Sequence, residues 1–184
     1  MSELTQLLAD ARAGDAKAAS RAFSLLYQDL KRLARARLRQ HQSMTLLDTT
    51  SLVHEVYLKL AQKDGLPVAD RHHFFAYAAQ VMRSVIVDLA RARHAERRGG
   101  HAEHVELSTD LAASTPAPES EVLRVHEALE NLAQADETLA RVVEMRYFGG
   151  MSEVEVAAAL GSSERTVRRQ WQKARLLLSL ELGE

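Results

Sequence analysis

Ser152-Glu153-Val154-Glu155-Val156-Ala157-Ala158-Ala159-Leu160-Gly161-Ser162-Ser163-Glu164-Arg165-Thr166-Val167 is the stretch on which the fold turns. Ser152 to Leu160 reads as a short, capped, alanine-rich helix. Gly161 supplies a tight turn, and Ser163 caps a second helix. Two helices joined by such a corner predict a helix-turn-helix. Beyond the corner Val167, Trp171, Ala174 and Leu178 recur at spacings of four, three and four, which makes one inward stripe. Trp171 falls with that core stripe and so is not read as a base-stacking residue. Arg165, Arg168, Arg169, Gln172, Lys173 and Arg175 are left on the outer faces. Arginine can bond guanine and glutamine can bond adenine through two hydrogen bonds in a major groove, while lysine and arginine neutralise phosphate. The pattern is that of a DNA-reading helix.

Working outward, helical spacing holds nearly everywhere and strict alternation of apolar and polar residues is absent, so the fold class is all-α. A first helix spans about Leu4 to Ala13 and stops at Gly14. Asp15 caps a second, with Phe23, Leu26, Leu30, Leu33 and Leu38 on one stripe. Asp48-Thr49-Thr50-Ser51 opens a third, carrying Leu52, Val53, Val56, Tyr57 and Leu60 and ended by Gly65 and Pro67. Phe74, Tyr77, Ala78, Val81, Val85 and Leu89 form the stripe of a fourth, which runs on through Arg91, Arg93, Arg97 and Arg98 to Gly99-Gly100. Periodicity fades from His101, and Ser114-Thr115-Pro116-Ala117-Pro118 combines turn formers with prolines that push the preceding residue out of the helical region. Helix resumes at Glu119 with Leu123, Ala128, Leu129 and Leu132, then Leu139, Val142, Val143 and Met145, and closes at Phe148-Gly149-Gly150. Two small helical modules, 1–98 and 119–184, are thus expected about a flexible linker at 99–118, the second module containing the helix-turn-helix.

The 184 residues include 24 Lys and Arg against 25 Asp and Glu, eight His and no Cys. Absence of cysteine excludes a disulfide framework and a thiolate metal site. No uninterrupted apolar stretch is long enough to span a bilayer, and Met1 to Asp10 lacks the layout of a signal peptide, so the expected compartment is the cytoplasm, without membrane attachment. The net charge of −1 hides a segregation. Lys31 to Gln40 is basic, Arg83 to Arg98 holds five arginines against Asp88 and Glu96, and Ser163 to Arg175 holds five bases against Glu164. Glu103 to Glu121 carries five acids and no base, so the linker is acidic. Aromatic residues beside an arginine-rich helix, here Phe74, Phe75 and Tyr77, are the mixture expected where unpaired bases stack, and are equally the mixture of an ordinary core. His72-His73, His101 and His104 have no zinc-site spacing. No nucleophile elbow, phosphate loop or metalloprotease motif occurs, so neither catalytic residue nor metal nor cofactor is expected.

An arginine-rich helix closing one module and a helix-turn-helix in the next resemble, over nearly the whole chain, a bacterial RNA polymerase sigma factor of the extracytoplasmic-function (ECF) group. Phe74, Tyr77, Val81, Arg83, Ser84 and Asp88 look like that group's promoter-melting helix. Met151-Ser152-Glu153, Ala157, Leu160-Gly161, Thr166-Val167-Arg168 and Ala174-Arg175 look like its carboxy-terminal helix-turn-helix. The resemblance implies that the first module grips core RNA polymerase and melts the −10 element, with the loop Gly65 to His73 and Arg83, Ser84, Asp88 and Arg91 holding a flipped base, whose unstacking the pocket must offset. It implies that the second reads the −35 element of promoter DNA through Arg165, Arg168, Arg169 and Gln172, with Lys173 on the backbone. The acidic linker would lie in the polymerase's basic RNA channel.

One departure from the group stands out. An acidic cluster of the form Asp-x-Glu-Asp-Leu-Val-x-Glu usually docks on the polymerase clamp; here the stretch is Asp48-Thr49-Thr50-Ser51-Leu52-Val53-His54-Glu55. Hydroxyls replace two carboxylates, which weakens complementary charge. Asp48, Thr50, Ser51 and Glu55 are the expected polymerase contacts. The unbroken run from Asp48 to Leu60 resembles a sigma subgroup with this Thr/Ser-substituted motif. Phosphorylation of Thr49, Thr50 or Ser51 by a Ser/Thr kinase would restore the charge, and a helix amino-terminus favours it. The alternative is that these hydroxyls only cap the helix. An anti-sigma factor is a further possible partner. The alternative to a sigma factor is a stand-alone helix-turn-helix regulator that binds duplex DNA without polymerase.

Overall fold

The computed structural model describes residues 3–40, 49–61, 68, 70–99 and 118–183, and among these every regular element is a helix. In chain order they are α1 (Glu3–Arg12), α2 (Ala16–Gln40), α3 (Thr49–Ala61), α4 (Arg71–Gly99), α5 (Pro118–Ala135), α6 (Glu137–Val143), a π-helical turn (Glu144–Phe148), α7 (Glu153–Leu160) and α8 (Glu164–Leu182). Short polar side chains set most of the starts. Asp15 accepts the amides of Lys17 and Ala18 at 2.8 and 3.2 Å ahead of α2, and Asp70 those of His72 and His73 at 2.8 and 3.0 Å ahead of α4. Each satisfies amides that have no partner within their own helix.

Asp136 does the same for Leu139 at 3.1 Å, and it divides the single helix expected after Glu119 into α5 and α6. A second difference follows directly. Gly149 N–H donates to Glu144 O at 3.1 Å, one residue wider than an α turn, so the expected end of that helix is a π turn instead. Pro118, counted with the linker in the sequence, begins α5, where its missing N–H costs nothing. Residues 100–117, most of the expected linker, lie outside the described residues.

Apolar faces from both halves meet in one cluster. Leu8, Leu26, Leu30 and Leu33 of α1 and α2, Leu52, Val53 and Val56 of α3, and Phe74, Ala78 and Met82 of α4 are buried with Leu129, Val142, Phe148, Val156, Val167 and Ala174 of the second half. α4 is the pivot, packing on α3 and also on α5, the π turn and α7. In this seam Gly149 lies against Ala79; a Cβ on Gly149 would stand 2.6 Å from that of Ala79 and 2.7 Å from Met145 O. Only glycine fits so near another backbone.

Candidate nucleic-acid interface

α7 and α8 form the expected helix-turn-helix. Ser152 Oγ accepts the Glu155 amide at 3.3 Å while Glu155 Oε2 accepts the Ser152 amide at 2.8 Å, a reciprocal capping box. Gly161 ends α7 at φ 60°, a left-handed conformation that a side chain would strain. Ser163 then caps α8 by accepting from the Thr166 amide at 3.2 Å. Val167, Ala174 and Leu178 are buried and Trp171 is half-buried beneath the Arg146 guanidinium, 5.2 Å from its ring, so the inward stripe holds.

Glu164, Arg165, Arg168, Arg169 and Gln172 line one open hollow on the outer side of α8. Four of the five expected base- and phosphate-contacting residues are therefore together. Lys173 is exposed beside them on a different bearing, its Nζ 3.7 Å from Asp136 Oδ2. Among the described residues Arg165, Arg169 and Gln172 form no ion pair or hydrogen bond, whereas Arg168 Nε donates to Glu153 Oε2 at 2.9 Å.

α4 places its four expected residues differently. Ser84 and Asp88 are exposed on the side facing α3, where Lys59 donates to Ser84 Oγ at 2.8 Å and to Asp88 Oδ2 at 2.5 Å. Arg83 turns the other way, into the seam, and its side chain is only 16% exposed. It donates to Glu144 Oε1 at 3.2 Å and to His126 Nδ1 at 2.8 Å, and it pairs with Glu130. The Phe148 ring lies 5.9 Å from its guanidinium. Arg91 is exposed at the rim, 3.3 Å from His126 Nε2. A neutral imidazole has one acceptor nitrogen, so only one arginine can bond it at a time, and Arg83 is the nearer. Of the loop expected to join these residues, 65–67 and 69 lie outside the described set.

Electrostatics in the seam follow from burial. Glu144 is the one buried charged residue among those described. Burial raises its pKa above the usual carboxylate value, although the Arg83 hydrogen bond and charge oppose the rise. Burial lowers the pKa of His126, and the Arg83 charge adds to the effect. Neutral His126 is thus the acceptor that Arg83 needs. Neither residue stands out in the sequence as functional. Glu144 leaves one trace, an acid set directly between Val142-Val143 and Met145.

On α3, Thr50 and Glu55 are exposed while Thr49 and Ser51 are half-buried, and all three hydroxyls lie in the first turn. Leu52, Val53, Val56 and Leu60 fix that orientation by facing the core. Asp48 lies outside the described residues. Among the described residues no group of three or more His, Asp or Glu could hold a metal ion, and no helix is long and apolar enough to cross a membrane.

A family model described as ECF sigma factor matches residues 1–184. A search of curated proteins found no match. The chain belongs to the ECF sigma factors, non-catalytic transcription initiation factors that bind core RNA polymerase and promoter DNA.

Proposed function

We propose that this ECF sigma factor divides its work between residues 1–98, which dock on core polymerase and open the −10 element, and residues 119–184, which read the −35 element across the linker at 99–118. The observation that carries the second assignment is the convergence of Arg165, Arg168, Arg169 and Gln172 on one exposed face of a doubly capped helix-turn-helix. That face suits a major groove, with arginine and glutamine towards base edges and Lys173 at the flank towards a phosphate. In the first module Arg83, Ser84, Asp88 and Arg91 are assigned to the unpaired base, with Ser84 and Asp88 on the α3 side of α4 and Arg83 turned towards the seam in the free chain. Arg83 is engaged by Glu144, Glu130 and His126 in the free chain, so work at the −10 element includes drawing α4 away from α5.

Docking runs through Asp48, Thr50, Ser51 and Glu55, and phosphorylation of Thr49, Thr50 or Ser51 strengthens it. Support comes from the exposure of Thr50 and the position of all three hydroxyls in the first turn of α3, where the helix dipole favours added negative charge. The partner enzyme is a Ser/Thr kinase.

Co-elution with bacterial core polymerase tests the reading, comparing the unmodified chain with Thr50→Glu/Ser51→Asp. Stronger retention of the acidic variant supports the charge switch, and equal retention of both chains removes it. A chain that binds duplex promoter tightly alone and ignores polymerase would instead be a stand-alone regulator. In cells, Thr49→Ala/Thr50→Ala/Ser51→Ala should abolish promoter output; full output overturns phosphorylation as the trigger.

A further inference from the structure

Arg168 is the tethered arginine of the α8 face, and its tether is itself anchored. Glu153, the first residue of α7, is mostly buried, with 22% of its side chain exposed. One carboxylate oxygen accepts from Arg168 Nε at 2.9 Å, and the other lies 4.0 Å from Arg146 Nη2. Arg146 is held in turn. Its Nη1 donates to Met151 O at 3.2 Å, and its guanidinium lies over the Trp171 ring. Trp171, Arg146, Glu153 and Arg168 therefore form a continuous chain of contacts from the half-buried side of α8, across α7, to its outer face.

Guanidinium is planar and carries five N–H donors in a fixed fork. Once Nε is held by Glu153, the plane is set and the donors left for a ligand are those of the two terminal nitrogens. That edge matches the paired acceptors O6 and N7 of guanine in the major groove. An arginine held in this way has lost much of its rotamer freedom before DNA arrives, so less is lost on binding. Arg165 and Arg169 have no such partner among the described residues and so lack this preorganisation. The neighbouring acid Glu155 is committed elsewhere, to its capping box and to Arg32 Nη2 at 2.5 Å.

We infer that Glu153 is a positioning residue for base readout, presenting the terminal edge of Arg168 to a guanine of the −35 element. The inference rests on the proposed reading of α8. Glu153 touches no base itself, and its effect reaches DNA only through Arg168.

The test is selection from a duplex library randomised across the −35 region, using the full chain bound to core polymerase, followed by sequencing of the retained DNA. The parent should enrich guanine at one position, and Arg168→Ala should lose that preference. Glu153→Ala should lower the same preference about five- to tenfold, within the range that a bidentate arginine–guanine contact supplies, while preferences elsewhere stay within about twofold. Glu153→Gln, which keeps an acceptor without the charge, should fall between. In an Arg168→Ala background Glu153→Ala should change nothing further, whereas combined with Arg165→Ala it should act independently. A merely structural role would lower every preference together, and that outcome overturns the inference. So does an unchanged or sharpened guanine preference in Glu153→Ala. If the parent itself selects no sequence, the reading of α8 fails and the inference with it, a result that cannot be confused with failure of Glu153 alone.

Discussion

Arg83 and Glu144, 61 positions apart in the chain, meet across the seam between α4 and the π turn with Nη1 and Oε1 3.2 Å apart and side chains only 16% and 11% exposed. Removing one partner of such a pair leaves a charge in a poor solvent, and that costs more than replacing both. Arg83→Met should therefore lower stability by about 3 kcal/mol, read as the urea midpoint. Arg83→Met/Glu144→Leu should recover most of it. A double variant no better than the single would show that the seam depends on Arg83 for reasons other than this pair.

Glu144 also fixes a pH dependence. Its pKa in the folded protein is raised by burial, against the opposing pull of Arg83. Folding therefore favours the protonated form; the stabilisation is fully present below the ordinary carboxylate pKa and is lost as pH rises through the raised value. Glu144→Gln, permanently neutral, should keep this contribution. Thermal unfolding of the parent and Glu144→Gln should show the parent losing ground as pH climbs out of the acid range, and parallel curves would contradict the assignment.

Acid should weaken the α7 end by the opposite route. Burial alone would raise the pKa of Glu155, but the Ser152 amide, Arg32 and the Ser152 hydroxyl outweigh it and the value is lowered. Its contribution is present above the ordinary carboxylate pKa and lost as pH falls through the lowered one. Ser152→Ala, which removes one half of the capping box, should cost about 1 kcal/mol at neutral pH. Glu155→Gln should blunt the acid-side loss, as followed by helix content during acid titration.

Gly149→Ala is the sharpest steric probe of the seam. The new methyl would stand 2.6 Å from Ala79 Cβ and 2.7 Å from Met145 O, so α4 or the π turn must shift. Overpacking of this kind costs about 1–3 kcal/mol. Ala79→Gly in the same chain removes the nearer clash and should restore part of the loss. Thermal unfolding of the single and double variants decides the point, and an unchanged midpoint for Gly149→Ala would mean that the halves are not packed here.

Local signals explain why so much was legible beforehand. Asp15, Ser152, Ser163 and Gly161 act on amides and carbonyls within four residues of themselves, so their spacing alone predicts helix starts and stops, and the stripe Val167, Ala174, Leu178 needs only the helical period. Arg83 shows where such reading ends. On its own helix it belongs to an arginine-rich face, and nothing within α4 tells that Glu144, Glu130 and His126 close over it, because those residues come from 43 to 61 positions away. Glu153 and Arg168 are 15 apart, joined by a corner whose angle the sequence leaves open. The π turn escaped for a related reason. Its widened hydrogen bond ends at Gly149, which packs against Ala79 of α4, a contact between residues 70 positions apart.

Seen as competitors, Glu144 and Glu130 are ligands for Arg83 carried on the same chain. A tethered ligand acts at an effective concentration set by the geometry of the tether rather than by the amount of protein. Neither dilution nor a larger amount of the chain releases Arg83. A binder that prefers the bared α4 face shifts the balance by no more than the strength of that preference.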